Sequence, residues 1–123
     1  LAVAVDLVTT QVLEPLARGE QAAYRRWDWH HGRWAETVPV PDAPRLVLEG
    51  CGSSVRPAGD YTSVRVWVEA PASVRWERGI ARDGVAYAPH WERWMAQERA
   101  LFAADRTRER ADLVIDTAPT AAN

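Results

Sequence analysis

The run Leu46-Val47-Leu48-Glu49-Gly50 closes an apolar stretch with an acid and a glycine. An acid just beyond the carboxyl end of a buried parallel strand stands where open α/β sheets bind ligands, and there it can hold a metal ion or a metal-bound water. The glycine lets a ligand approach the backbone closely. The plainer reading is an acid that caps the next loop or pairs with an arginine.

A second set is Arg75, Arg78 and Arg82, followed by Asp83-Gly84. Spacings of three and four put the three guanidiniums on one helical face. Such a ladder suits a triphosphate, whose transferred group spreads negative charge over its oxygens. A solvated basic face balanced by Glu77 and nearby acids is the alternative. A third set is aromatic, with Tyr24, Trp27, Asp28, Trp29, His30 and His31 close together. Aromatic faces sandwich flat molecules, and Asp28 is placed to hold or deprotonate a substrate hydroxyl. The alternative is a hairpin whose rings pack across strands. Cys51 and two adjacent histidines do not give zinc-ligand spacing. Glu98 lies amid Trp94, Met95, Leu101 and Phe102. A carboxylate there either takes a cation, for which an arginine of the ladder is suited, or sits at the stripe edge in solvent.

The elements that would position these groups follow from periodicity. Leu1, Val5, Val8, Val12 and Leu16 form one helical stripe over residues 1–18, with Gly19 as its stop and Pro15 disturbing the last turn. Residues 24–29 and 34–40 read as two short strands around His30-His31-Gly32. Arg45–Gly50, Val64–Val68 and Leu113–Ile115 read as buried strands, apolar on both faces. Helices are expected over residues 72–82 and over the stripe Trp91, Trp94, Met95, Leu101, Phe102. Strands alternating with helices argue for βαβ units and a parallel sheet.

Bulk properties narrow the function classes. The length of 123 residues suits one domain, and the net charge of -2 argues against nucleic acid as a partner. No apolar run is long enough for a membrane span. One cysteine makes no internal disulfide, so a cytoplasmic setting is expected. All 15 basic residues are arginine, and there is no lysine.

In order and spacing, residues 24–29, Leu46–Gly50, Val66–Val68, Arg75–Asp83 and Ala111–Asp116 resemble the uridine kinase-like branch of the P-loop kinases. The likeness covers nearly the whole chain. It implies an α/β fold with a mostly parallel three-layer sheet of the P-loop NTPase type, incomplete in this chain. The chain 1–123 would be the later portion of one such domain, with residues 21–44 as the acceptor-binding excursion and 72–90 as the lid region. The resemblance implies an ATP-dependent phosphotransferase acting on a nucleoside-like or other small hydroxyl acceptor, with ATP and Mg2+ as cofactors. Glu49 would stand near the metal, and Arg75, Arg78 and Arg82 would close over the phosphates. Tyr24, Arg26, Asp28, Trp29 and His31 would hold the acceptor, and Thr117 and Pro119 would lie beside the adenine.

The chain departs from that pattern in two large respects. The family's Gly-x-x-x-x-Gly-Lys-Ser/Thr loop cradles the phosphates, and a chain without lysine has no such loop. The strand carrying it would separate the strands at Leu46–Leu48 and Val64–Val68. The family's next strand, which ends in an aspartate acting as base toward the acceptor hydroxyl, is missing too. A missing N-terminal segment or a homodimer partner is therefore expected to complete the sheet, and this chain alone is expected to be inactive. The rival reading is a non-catalytic, kinase-like module that binds a protein partner through its Trp-rich segment.

Overall fold

The computed structural model describes residues 1–119 and has a mixed α/β architecture. Two compact units, Leu1–Thr62 and Ser63–Asn123, lie within the span that length alone assigns to one domain.

The first unit opens with α1 (Ala2–Val8), which passes through a wider π turn at Thr9–Leu13 into α2 (Glu14–Ala17). The Thr9 and Thr10 hydroxyls donate back to the carbonyls of Val5 and Asp6, at 2.8 and 2.9 Å. Such back-bonding competes with the regular ladder and accompanies a local change in helix winding. Pro15 falls in the first turn of α2, where its missing N–H costs little. Gly19, at φ 71°, ends the run. Its N–H bonds the Leu16 carbonyl and that of Glu20 bonds the Pro15 carbonyl, which satisfies two carbonyls of the last turn. The expected stripe faces inward: Val12 packs with Ala22 and Val40, with Val8 and Leu16 against them. Burying a side chain of that size stabilises by about 1.5–3 kcal/mol.

Next come β1 (Ala23–Asp28) and β2 (Arg33–Pro39), an antiparallel hairpin running from Ala23 opposite Pro39 to Asp28 opposite Arg33, with a register irregularity between Arg25 and Trp27. This is the hairpin expected around His30-His31-Gly32. The Gln11 side chain accepts from the Arg25 N–H at 2.9 Å and ties the hairpin to the helical run.

The strand expected at Arg45–Gly50 is not formed. The segment is irregular, Leu46 is exposed, and Val47 is 88% exposed. A strand needs a neighbour for its N–H and C=O groups. Among the described residues of this unit, β1 and β2 pair with each other and no strand adjoins 45–50. A 3-10 turn at Ala58–Tyr61 packs beside α1 and completes the unit.

The second unit runs β3 (Val66–Glu69), α3 (Ala72–Asp83), a 3-10 turn at Val85–Tyr87, α4 (Ala88–Asp105) and β4 (Leu113–Asp116). β3 and β4 pair in parallel, with Val66 opposite Leu113 and Glu69 opposite Asp116. Parallel pairing, both helices and the strand at 113–115 agree with the periodicity, while the strand expected from Val64 begins at Val66. The burial expected of both strands is not met, since Val66, Val68 and all of β4 are exposed. Asp112 fixes the start of the ladder: its carboxylate accepts from the Arg65 N–H at 2.7 Å, and its own N–H bonds the Arg65 carbonyl at 2.9 Å.

α4 covers one face of this sheet, where Trp67 meets Phe102 edge-to-face at 4.9 Å. α3 packs on α4 at Gly79, where an added Cβ would lie 2.5 Å from the Trp91 ring. The opposite face of the sheet carries Val66, Val68, Leu113 and Ile115, all exposed. Parallel sheets are normally covered on both faces.

Candidate functional site

Two groups of candidate residues stand in different units. In the second unit they gather at the carboxyl ends of β3 and β4, the edge at which parallel sheets present ligand sites. The Thr117 N–H and hydroxyl both donate to the Glu69 carbonyl, at 2.8 and 3.0 Å, which fixes the turn after β4. Arg78 then reaches from α3 and donates to the Thr117 hydroxyl at 3.1 Å and to the Thr117 carbonyl at 2.7 Å. The structure thus brings together one arginine of the ladder and one residue of the loop assigned beside adenine. Pro119 lies two residues on and is exposed.

The other two arginines are engaged elsewhere. Arg75 donates to Glu98 at 2.7 Å, and Trp94 donates to the other carboxylate oxygen at 3.2 Å. The carboxylate inside the aromatic stripe therefore has an arginine of the ladder as its partner. Arg82 forks onto Asp83 at 2.7 and 3.0 Å, and its guanidinium lies 5.7 Å from the centre of the Trp91 ring. That fork holds the Asp83 carboxyl below its usual range, with help from the Trp91 N–H, and raises the Arg82 guanidinium. The three guanidiniums do not converge in this structure. Arg75 and Arg82 each hold a carboxylate, while Arg78 is bound to neutral oxygens, with no carboxylate in ion-pair contact among the described residues. Its charge remains available to an anion, and its planar fork matches phosphate geometry.

Sequence reasoning did not single out a neighbouring cluster. Glu69 accepts from Arg108 at 2.7 and 2.8 Å and from the Trp67 indole at 2.8 Å. The Arg108 fork, aided by Trp67, depresses the Glu69 carboxyl from 4.5 to about 2. An acid closing an apolar strand, the signal used for Glu49, was present here also. Its partner 39 residues away carried no signal.

In the first unit the candidates sit on the hairpin. Asp28 organises its tip: one oxygen accepts the N–H groups of His30 and His31 at 3.0 and 3.1 Å, and the other contacts His31 Nδ1 at 2.8 Å. The bond to the His31 ring, with those backbone N–H groups, lowers the Asp28 carboxyl. An ionised carboxylate only accepts, so His31 Nδ1 carries the proton of that bond. Trp29 beside it is 83% exposed. Arg26 forks onto Glu36 at 2.7 and 3.0 Å, and Tyr24 is exposed. Trp27 and Trp34 meet edge-to-face at 5.0 Å, and Arg25 lies over Trp34. Arg25, Trp34 and Glu36 were not among the candidates, because the pairing that assembles them depends on the register.

Glu49 stands exposed on the irregular segment, away from any strand end. No group of three histidine, cysteine or acidic side chains able to hold a metal is present among the described residues. A lone exposed carboxylate suits Mg2+ only where phosphates and water supply the other ligands. The chain offers no lysine-bearing phosphate cradle to place them. The residues present therefore fit a metal–nucleotide only in part. No helix among the described residues is long and apolar enough to cross a membrane. Comparison with protein-family models and with curated proteins finds no match.

Proposed function

We propose that this chain is the lid and acceptor portion of an ATP-dependent phosphotransferase of the P-loop NTPase type, uridine kinase-like, acting on a nucleoside-like or other small hydroxyl acceptor. The observation that carries the reading is the Arg78 fork on Thr117 at the carboxyl ends of two parallel strands, with no acid among the described residues taking its charge. Arg78 is the residue assigned to the transferred phosphates. Thr117 and Pro119 are assigned to the adenine side, and Asp28, His31, Trp29, Tyr24 and Arg26 to the acceptor. Arg75 and Arg82 serve the same lid once they exchange their present carboxylates for phosphate oxygens. ATP with Mg2+ near Glu49 is the cofactor set of this reading, and its setting is cytoplasmic.

The reading requires a lysine-bearing loop from outside these residues. A segment or partner that supplies it as a strand would also pair with an open edge of the parallel sheet, whose apolar side chains are exposed. The test is ATP-dependent phosphorylation of nucleosides by the gene product that carries this chain, alongside Arg78→Ala. Loss of a fork that stabilises transferred charge is expected to lower turnover by about 10²–10³-fold. Normal turnover in the variant removes the lid assignment.

A second reading rests on one observation. Trp29, the largest side chain at the hairpin tip, is 83% exposed. A non-catalytic module would use it to anchor a protein partner. Binding of such a partner that survives Arg78→Ala and fails with Trp29→Ala would favour this reading.

A further inference from the structure

α4 has one side that no described residue of its unit covers. Glu92, Ala96, Arg99 and Ala103 recur at helical spacing on that side, and all are exposed. At its margin Glu92, Met95, Ala96 and Arg99 line an open groove of about 360 Å³ together with Trp76 of α3. The charges on this stripe are one acid and one arginine, seven residues apart and so about two turns, roughly 10 Å, from each other. Neither side chain has an ion-pair or hydrogen-bond partner among the described residues. Several other charged side chains of the two helices are engaged, Arg75 with Glu98, Arg82 with Asp83, and Arg93 with His90, while Glu77 of α3 is exposed like Glu92 and Arg99.

We infer that this side of α4 is the contact surface for a second copy of the same chain, packed antiparallel about a two-fold axis between Met95 and Ala96. The charge order selects that partner and direction. An antiparallel copy sets Glu92 against the second copy's arginine and Arg99 against its glutamate, so one surface answers itself twice, as a two-fold interface requires. A parallel copy would place glutamate near glutamate and arginine near arginine, which costs affinity. Ala96 and Ala103 let the helix axes approach closely, and the half-buried Trp76 and Met95 supply apolar area beside the axis. The inference is independent of the phosphotransfer reading and differs from a partner strand on the β3–β4 sheet.

The test is sedimentation equilibrium of the whole chain from about 1 to about 300 µM, the range in which a small interface dissociates. The unaltered chain is expected to show a monomer–dimer equilibrium. Glu92→Arg and Arg99→Glu each turn two attractions into two repulsions and are expected to raise the dissociation constant by at least about tenfold. The double variant E92R/R99E restores the complementary order and is expected to return to within about threefold of the original. Both side chains are exposed, and circular dichroism checks that the variants fold. A chain that stays monomeric throughout overturns the inference. So does a dimer unmoved by either reversal, and a dimer lost with Val68→Asp but kept in both reversals places the contact on the sheet instead.

Discussion

Arg78 and Thr117 stand 39 positions apart in sequence, yet the arginine donates to both the hydroxyl and the carbonyl of the threonine, at 3.1 and 2.7 Å. The contact fastens α3 to the turn after β4. Arg78→Ala is expected to lower stability by about 1 kcal/mol, the net value of exposed hydrogen bonds. Thr117→Val keeps the carbonyl but removes the hydroxyl both as acceptor from Arg78 and as donor to the Glu69 carbonyl, so it should cost no less than the arginine change. Urea midpoints of the two variants check this order.

Gly79 sits beneath the Trp91 indole, and a Cβ there would approach the ring to 2.5 Å. Glycine in a helix normally costs about 1 kcal/mol relative to alanine, so alanine should stabilise if space were the same. Here the ring is tethered by its N–H to Asp83 at 2.9 Å and cannot move aside freely. Gly79→Ala is therefore expected to destabilise by about 1–3 kcal/mol, the usual range for overpacking. A rise in melting temperature would show that the helices pack otherwise.

Glu69 makes stability depend on pH. Its folded carboxyl titrates at about 2 against 4.5 when unperturbed, because Arg108 and Trp67 bond the charged form. A carboxyl lowered on folding contributes stability in full above its unfolded value and loses it as pH falls through the folded one. The contribution should thus be complete above pH 4.5 and fade between pH 4.5 and about 2. Glu69→Gln is expected to be less stable than the parent at neutral pH, and the gap should narrow over that interval. Unfolding midpoints at several pH values read the trend, and a constant gap would contradict it.

The hairpin offers an optical test. Trp27 and Trp34 lie 5.0 Å apart at an 82° interplanar angle, close enough for their transitions to couple. Trp34→Ala is expected to remove the coupled band from the circular dichroism spectrum and to cost about 0.5–1.5 kcal/mol beyond its lost area. Asp28→Ala removes the acceptor for two N–H groups and the His31 ring, so it should also weaken that band by loosening the tip.

Local patterns made much of this legible. The stripe from Val5 to Leu16 is set by spacing alone, and the hairpin by two aromatic runs flanking a glycine turn. The aromatic setting of Glu98 left a cation or solvent as its alternatives, and Arg75 supplies the cation. Tertiary pairings were not legible. Nothing local to Glu69 announces Arg108, and nothing in a ladder of three arginines tells which one meets no carboxylate among the described residues. The ladder spacing implies convergence, but Asp83 and Glu98 draw two of its members elsewhere.

The segment Arg45–Gly50 shows the limit most sharply and gives the last test. Its composition is that of a buried parallel strand, but burial and pairing belong to neighbours, not to the run itself. With Val47 at 88% exposure, Val47→Asp is expected to change stability by no more than about 0.5 kcal/mol. Amide exchange over residues 45–50 should be fast, since these N–H groups lie in no ladder. A large loss of stability in Val47→Asp, with slow exchange in the parent, would mean that a strand forms there in solution and has found a partner. That outcome would also strengthen the case for a sheet completed by another segment.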